Sequence, residues 1–365
     1  MKDVKIGIIG TGVGIRTLLP GFRNVDGAEV VAICGSRFER SRYFAKEYRI
    51  PIAYESYKEL CENEEIDLVC VATPNNFHFE EIKYAICMNK NVLCEKPLVC
   101  AKEQLYELVS LSDKTDKYCI IDHQLRFNPY MIKIKKMITE RELGDVYFVR
   151  IHQQSMGFSN VNAKWSWSFD ERENGGVRWA MGVHFADLLL YWFGEQMYNI
   201  SGNMNPVITH RVDNVGEERE IKASTFCTAS MVSKTGISIN LSVTAAALSK
   251  PRFDIDIYGT KGELHFDLDN KLKVYFIDKQ KYMDLINLEG VYEDERNNQV
   301  SIFSGSFRYF APNIIRAISE NEGHYLDIAA KFRDAMYTFD ILEKIKKSAN
   351  ENCITNPMQK LRDNI

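Results

Sequence analysis

Short apolar runs alternate with amphipathic stretches through the first third of the chain. The amphipathic stretches have helical spacing and lie at Thr17–Asn24, Arg40–Tyr48, Phe79–Met88 and Lys102–Ser112. The runs between them are apolar at nearly every position, which is typical of strands covered on both faces. We expect these strands at Val4–Ile9, Glu29–Cys34, Leu68–Thr73, Asn91–Cys94 and Tyr118–Asp122. The alternation predicts a parallel, doubly wound α/β sheet.

The pattern changes after residue 125. From Asn199 to Asp284 several stretches alternate between apolar and polar residues, which predicts a largely antiparallel sheet with one face in water. Gly259 to Gly262 is typical of a hairpin turn, and 287–306 of a polar connector. The other predicted elements are a long strand at Asp145–Met156 and helices at Pro129–Glu140, Val183–Trp192, Phe307–Glu320 and Asp327–Lys347. We therefore predict an α/β domain over 1–124 and an α+β domain over 125–365.

Composition and charge narrow the class of protein. The 365 residues are 45% hydrophobic and 26% charged, which is an ordinary globular balance. The 46 basic and 50 acidic side chains give a net charge of −4, whereas general nucleic-acid or anionic-membrane binders need a basic surplus. Nine cysteines without a C-x-x-C pair suit a reducing compartment. With no signal-peptide core and no apolar run near the ~20 residues of a membrane helix, we expect a cytoplasmic protein.

A glycine-rich turn follows the first predicted strand and precedes a helix. It consists of Gly10, Thr11, Gly12, Val13 and Gly14. In that position one glycine permits a tight turn, and a second lets the backbone approach a pyrophosphate at the helix N-terminus. Ile15 stands where a third glycine or alanine is usual. We interpret the turn as a Rossmann-type dinucleotide site. The alternative is a tight turn without a ligand.

The end of the second predicted strand bears on the choice of cofactor. An acid is usual there when NAD is bound, because it accepts hydrogen bonds from the ribose hydroxyls. Here Ser36 and Arg37 follow the strand, with Arg40 one helical turn later. A hydroxyl and two guanidinium groups suit a 2′-phosphate. The sequence therefore favours NADP(H). NAD(H) is the alternative, in which both arginines are solvated residues at a helix start.

Further motifs point to a known family. They are ATPNNFH at 72–78, CEKPL at 94–98, RFNP at 126–129, WSW at 165–167, and a glycine pair at 175–176 followed by GVHFAD at 182–187. In order and spacing, to about residue 190, the chain resembles the Gfo/Idh/MocA (glucose–fructose oxidoreductase / inositol dehydrogenase) family. The β-rich remainder is compatible with it.

The resemblance implies a fold and an activity. The fold is a Rossmann NAD(P)-binding domain followed by an α+β domain, whose large, mainly antiparallel open sheet forms the substrate floor. The activity is that of an NAD(P)-dependent dehydrogenase or reductase, which transfers a hydride between nicotinamide and a hydroxyl or keto carbon of a sugar, nucleotide-sugar or cyclic polyol. Family members commonly form dimers or tetramers through the sheet, so we expect a homo-oligomer without nucleic-acid or membrane partners.

The resemblance also implies roles for individual residues. Lys96, in the CEKPL motif, matches the family's catalytic lysine. A cation beside a reacting oxygen suits this role, because it stabilises alkoxide character and can exchange a proton. His184 matches the histidine that contacts the reacting hydroxyl. Each role has a structural alternative. In these alternatives Lys96 is a solvated lysine, His184 is a core histidine, and residues 73–78 form a capped turn at a strand end. Arg126 then forms an ion pair, and the two tryptophans serve loop packing. Other implied cofactor contacts are Thr73, Pro74, Asn75, His78, Glu95, Lys96 and Arg126, and implied substrate contacts are Lys96, Arg126, Trp165, Trp167 and His184.

One position departs from the family pattern. Many members carry an aspartate four residues before the histidine, whereas this chain has Ala180, which cannot ionise. Either the lysine and histidine suffice, or another group such as Arg126, Arg178 or Tyr147 replaces the carboxylate, or classical alcohol oxidation has been lost. The first is favoured, because the lysine, the histidine and the cofactor motifs are retained.

Two other classes of function stay open. The alanine is compatible with a non-catalytic sensor that binds nicotinamide cofactor without turnover. Within enzymes, the alternative is a lyase, hydrolase or epimerase that uses a tightly held NAD. No metal site is predicted, because the remaining histidines stand singly without ligand spacing, at His123, His152, His210, His265 and His324.

Overall fold

The computed structural model describes residues 3–99, 101–268, 271–287 and 302–351. The chain divides into two compact units, and each is built from two separate segments of sequence. The first unit comprises Met1–Met137 and Leu288–Met336, and the second comprises Ile138–Asn287 and Tyr337–Ile365.

The strands fall into a first group of short apolar segments and a later group with alternating burial. In chain order they are β1 (Val4–Ile9), β2 (Ala28–Cys34), β3 (Ile52–Tyr54), β4 (Leu68–Val71), β5 (Asn91–Cys94), β6 (Cys119–Ile121), β7 (Val146–Gln154), β8 (Met197–Asn205), β9 (His210–Val212), β10 (Glu218–Glu220), β11 (Phe226–Ser233), β12 (Ser238–Thr244), β13 (Arg252–Gly259), β14 (Gly262–Phe266), β15 (Lys271–Phe276), β16 (Lys281–Asn287) and β17 (Ala330–Lys331).

The α-helices connect these strands. They are α1 (Leu19–Arg23), α2 (Phe38–Glu47), α3 (Tyr57–Glu62), α4 (His78–Cys87), α5 (Lys102–Ser112), α6 (Pro129–Thr139), α7 (Val183–Phe193), α8 (Ile302–Glu320) and α9 (Asp334–Glu351). One π-helical turn, Gly14–Leu18, leads into α1, and another, Arg178–Gly182, leads into α7. Among the described residues, no helix combines the length and the apolar character needed to cross a membrane.

The first unit is built on a seven-stranded sheet in the order β17-β6-β5-β4-β1-β2-β3. All neighbouring strands pair in parallel except β17, which pairs antiparallel with β6. The central strands β4 and β5 are buried at every position, as expected for a sheet covered on both faces. The predicted parallel, doubly wound α/β sheet is therefore confirmed.

Helix α8 belongs to the core of the first unit, although it lies far along the sequence. Phe307 packs edge-on against Phe22 with ring centroids 5.3 Å apart, and Phe310 stacks on Phe127 at 4.2 Å. A Cβ at Gly21 would lie 2.3 Å from the ring of Phe307, so only glycine permits this approach. All of these side chains are buried together with β1 and β2 residues.

The second unit contains an eight-stranded sheet in the order β16-β15-β14-β13-β7-β12-β11-β8. Every pair is antiparallel except β7 with β12, which is parallel. Burial alternates along β11 and β12, so one face of the sheet is packed and the other is wet. The packed face meets α7, where Phe185 contacts Phe253 with ring centroids 5.2 Å apart. The predicted large, mainly antiparallel sheet and its hairpin at residues 259–262 are confirmed.

Some predicted elements differ from the structure. The helix predicted at Asp327–Lys347 begins at Asp334, because Ala330 and Lys331 pair with β6 as an edge strand. Residues 302–306 of the predicted polar connector are the first turns of α8, and 288–301 lie outside the described residues. β3 and α3 were not predicted from the sequence. A capping box at Ser56 and Glu59, visible in the sequence, starts α3.

Candidate active site

The glycine turn lies at the carboxyl edge of the parallel sheet, where β1 ends between β2 and β4. Gly10 has a φ of 119°, and a Cβ there would lie 2.3 Å from the carbonyl oxygen of Ala72. Its N–H donates to the carbonyl of Cys34 at 2.8 Å. By contrast, a Cβ on Gly12 would have nothing within 4 Å. The turn is therefore packed tightly on its sheet side and open above its second glycine, as a site for an approaching phosphate requires.

Arg40 lies next to this turn. Its guanidinium donates to the carbonyl oxygen of Thr11 at 3.3 Å, while the Ser36, Arg37 and Arg40 side chains are all exposed. The segment after β2 packs closely on the glycine turn, since a Cβ on Gly35 would lie 2.8 Å from Thr11 Cγ2. A cationic side chain is thus available at the end of β2, beside the glycine turn.

The segment after β4 is tied to the segment after β5 by a buried histidine. His78 is fully buried, and its Nε2 lies 2.9 Å from the carbonyl of Thr73 while its Nδ1 lies 3.0 Å from the carbonyl of Pro97. Burial lowers the pKa of His78, so the neutral imidazole is favoured. Both ring nitrogens face protein carbonyls, which makes His78 a link that shapes the two neighbouring loops.

Thr73 also anchors an acid. Its hydroxyl donates to Glu81 Oε2 at 2.5 Å, and burial raises the pKa of that carboxyl to about 7. Thr73 and Pro74 are half-buried and Asn75 is buried, so these residues stand at the rim of the same sheet edge as the glycine turn.

Lys96 follows β5 at this edge, with Glu95 before it and a cis peptide bond to Pro97 after it. The Lys96 side chain is half-buried and Glu95 is buried. Burial lowers the pKa of Lys96, and the neighbouring acids Glu95 and Asp122 partly oppose that shift. An amine whose pKa is brought down in this way is suited to exchange protons near neutral pH.

Asp122 is a buried acid that was not among the site residues predicted from the sequence. It follows β6 directly, and its backbone N–H donates to the carbonyl of Cys94 at 2.7 Å. Burial, and next the charge of Glu95, raise the pKa of Asp122 well above its usual range. The sequence contained a signal for it: an acid at the end of the apolar run 118–122, one strand from the lysine motif.

Arg126 forms an ion pair with Asp334 within the first unit. Its guanidinium donates to Asp334 Oδ2 at 3.0 Å and to the carbonyl of Ile328 at 3.4 Å, and Arg126 is buried. This contact joins the segment after β6 to the start of α9. The predicted contact of Arg126 with cofactor or substrate stays a prediction.

In the second unit, His184 is the second residue of α7 and is 3% exposed. Asp187, one turn later, is also buried. Ala180 lies half-buried in the π-helical turn before α7. Arg178 is buried and donates to Glu343 at 2.7 Å, whereas Tyr147 is largely exposed on β7. The expectation that one of these two residues replaces the function of the missing carboxylate stays a prediction.

The two candidate tryptophans lie on a loop of the second unit. Trp165 is half-buried, its backbone N–H donates to the carbonyl of Val212 at 2.9 Å, and the guanidinium of Arg219 lies 5.8 Å from its ring centroid. Trp167 is 41% exposed. Trp165 is thus held by packing, while Trp167 presents an aromatic surface to solvent.

The described residues contain no group of three histidine, cysteine or acidic side chains arranged to hold a metal ion. Their seven cysteines are free thiols, of which only Cys87 is exposed. Burial raises the pKa of several of them, for example Cys61 to about 12, which favours the protonated thiol over the reactive thiolate at neutral pH. Cys100 and Cys353 lie outside the described residues.

Comparisons with known proteins agree with this fold. Residues 4–123 match the model of an oxidoreductase family with an NAD-binding Rossmann fold, and residues 135–356 match the C-terminal alpha/beta domain of the same family. An uncharacterized oxidoreductase of Synechocystis sp. is 26% identical, with 75% of this chain and 74% of that protein aligned. Glucose-6-phosphate 3-dehydrogenase of Bacillus subtilis is 21% identical, with 93% and 94% aligned.

A solved structure of levoglucosan dehydrogenase, in complex with NADH and L-sorbose, superposes on this chain with a TM-score of 0.82. The two sequences are 18% identical, and the superposition covers 95% of this chain and 98% of the dehydrogenase chain. At this identity the likeness shows a common fold.

Proposed function

We propose that this chain, which belongs to the Gfo/Idh/MocA oxidoreductase family, is an NAD(P)-dependent dehydrogenase or reductase. It would transfer a hydride between the nicotinamide and a hydroxyl or keto carbon of a sugar, nucleotide-sugar or cyclic polyol. The observation that carries this proposal is the position of Lys96. This amine, with its lowered pKa, lies at the carboxyl edge of the sheet whose first strand ends in the glycine turn.

The residues of the first unit fit a dinucleotide. The turn from Gly10 to Gly14 is packed against β4 but open above Gly12, so its backbone N–H groups can hold a pyrophosphate. Arg37 and Arg40 suit the 2′-phosphate of NADP(H), which we favour over NAD(H). When bound, the nicotinamide supplies the two-electron hydride chemistry.

The amine of Lys96 then handles the proton of the reaction. In the direction of oxidation Lys96 Nζ accepts the proton of the substrate hydroxyl, and in the direction of reduction it returns a proton to the carbonyl oxygen. His184 would hold the same oxygen through its imidazole. Trp165 and Trp167 would supply flat apolar surfaces to the sugar, and Arg126 a cation to an anionic group.

The names of related proteins support the class of substrate. A glucose-6-phosphate 3-dehydrogenase and a levoglucosan dehydrogenase are among the proteins similar to this chain. We extend this to a carbohydrate or polyol substrate here, and to a homo-oligomer formed through the open face of the second unit's sheet.

Binding and turnover test the proposal in sequence. The purified protein is titrated with NADPH and with NADH and then assayed by nicotinamide absorbance against a panel of sugars, polyols and nucleotide-sugars. We expect tight cofactor binding and turnover of a panel member. Failure of a folded sample to bind either cofactor at millimolar concentration would overturn the proposal.

A sensor is the second candidate, and Ala180 is the observation that favours it. A sensor binds cofactor but turns over no member of the panel, and Lys96→Ala leaves its biological function intact. A lyase, hydrolase or epimerase would instead retain NAD through purification and convert substrate without net change in nicotinamide absorbance.

A further inference from the structure

Two acids stand side by side at the sheet edge next to Lys96. Strands β5 and β6 pair in parallel with Cys94 opposite Ile121, so the next residues, Glu95 and Asp122, leave the sheet at the same level. The Asp122 N–H donates to the carbonyl of Cys94 at 2.7 Å, which fixes this register to the end of both strands. The two carboxyl groups are near enough for each to shift the pKa of the other.

Both acids are withdrawn from water. Asp122 is 0% exposed and Glu95 is 7% exposed. Among the described residues, no N–H or hydroxyl group donates to either oxygen of Asp122. A buried carboxylate without a donor is strongly disfavoured, and two adjacent carboxylates disfavour each other further. A proton shared with the carboxyl of Glu95 resolves both penalties.

The surroundings decide which acid keeps the proton. Burial raises the pKa of both groups. Neither oxygen of Asp122 has an N–H or hydroxyl donor among the described residues, so the ionised form of Asp122 is the costlier one. Asp122 therefore keeps the proton and donates it in a hydrogen bond to the Glu95 carboxylate, whose charge acts on the amine of Lys96.

Three other titratable groups near this cluster favour their neutral forms. Burial raises the pKa of the thiols of Cys70 on β4 and Cys94 on β5 well above the usual range. Burial, and more weakly the charge of Lys96, lower the pKa of His78. Negative charge that acts on the amine is therefore supplied by the pair of acids.

We propose that Asp122 and Glu95 share one proton and together hold a single negative charge beside the amine of Lys96, so that Asp122 is a positioning residue for the proton step. This inference rests on the proposed function of Lys96. During oxidation the substrate O–H bond breaks, an N–H bond forms at Nζ, and the C–H electron pair leaves as hydride to the oxidised nicotinamide dinucleotide. The ammonium so formed is stabilised by the charge of the pair. Ala180 stands where many family members have an aspartate and supplies no negative charge. The pair of acids supplies one within the first unit.

Infrared spectroscopy of the cofactor-free protein tests the shared proton. With aspartate carboxyls labelled by carbon-13, we expect a protonated-carboxyl stretch at neutral pH that shifts with the label and is lost in Asp122→Asn, because the amide can donate to Glu95 but carries no acidic proton. The control Asp113→Asn removes an exposed carboxyl paired with Arg333 and should leave the stretch unchanged. An unchanged stretch in Asp122→Asn would overturn the proposal.

Acylation of Lys96, followed by mass spectrometry as a function of pH, tests the charge. Asp122→Leu removes the donor, so the buried Glu95 becomes neutral and Lys96 loses its partner charge. We expect acylation about tenfold faster below the pKa of the amine, equivalent to about one pKa unit. Asp122→Asn keeps a donor and should follow the wild-type profile. A wild-type profile in Asp122→Leu would contradict the proposal.

If Asp122→Leu does not fold, the infrared result on Asp122→Asn decides alone. Neither measurement needs turnover, so the pair can fail while the dehydrogenase proposal stands, and the reverse.

Discussion

Gly12 provides a substitution that separates cofactor binding from folding. Its φ lies outside the left-handed region, and a Cβ there meets nothing within 4 Å. Gly12→Ala should therefore leave the free energy of unfolding unchanged or raise it by up to about 1 kcal/mol, because alanine restricts the unfolded chain. The new methyl group occupies the open space above the turn. There it keeps the pyrophosphate away from the backbone N–H groups of the turn. The loss of this charged hydrogen-bond partner should weaken NADPH binding by about 1.5–3 kcal/mol, or roughly 10- to 150-fold in Kd.

Gly10→Ala is the matched comparison. At a φ of 119° and 2.3 Å from a backbone carbonyl, an alanine Cβ has no side-chain rotation that relieves the contact. Backbone strain alone costs about 1–3 kcal/mol. Urea unfolding and calorimetric titration with NADPH, applied to both variants, measure the two effects. Wild-type NADPH affinity in a folded Gly12→Ala protein would refute the assignment of the turn as a pyrophosphate site.

Three further predictions concern the same unit. Lys96→Met should lower kcat by about 100-fold or more while NADPH still binds, and the exposed Lys102→Met is its control; equal losses in both would contradict the role of Lys96. Arg37→Ala combined with Arg40→Ala should weaken NADPH binding about tenfold or more with NADH affinity unchanged; equal effects on the two cofactors would remove the 2′-phosphate assignment. The pKa of Glu81 is raised from 4.5 to about 7 in the folded protein. The stability that protonated Glu81 gives the fold is therefore fully present below pH 4.5 and is lost as the pH rises to 7. Glu81→Gln should match wild type at pH 4.5 and exceed its unfolding free energy by ~1–3 kcal/mol at pH 8, and a constant difference across pH would refute this.

Much of the fold could be predicted because the core strands are long apolar runs with clear breaks. β1 and β5 match their predicted bounds, since a buried parallel strand leaves a continuous apolar run in the sequence. The strand β3 could not be predicted in this way. It has three residues, all half-buried at the sheet edge, and therefore no pattern long enough to read.

The later elements show how tertiary pairing overrides local pattern. Ala330 and Lys331 lie in a stretch with helical spacing, yet they add an antiparallel edge strand to β6. Helix α8 was predicted, but its place in the core of the first unit depends on the approach of Phe307 to Gly21, which no local pattern reports.

The candidate site was predictable only where a motif names the residue. The glycine turn and Lys96 follow from motifs, and the structure places both at one sheet edge. Asp122 belongs to no motif, and its significance comes from the register of β5 with β6 and from its burial. The expected contact of His78 with cofactor stays a prediction, while the contacts of its nitrogens with the carbonyls of Thr73 and Pro97 depend on loop geometry and could not be predicted.

The most direct test is a crystal structure with NADPH bound. The account predicts the pyrophosphate on the Gly10–Gly14 turn, the 2′-phosphate at Arg37 and Arg40, and the nicotinamide ring with Lys96 Nζ and the His184 imidazole both on its reactive side. Density for the dinucleotide away from the glycine turn, or Lys96 and His184 on opposite sides of the ring, would contradict it.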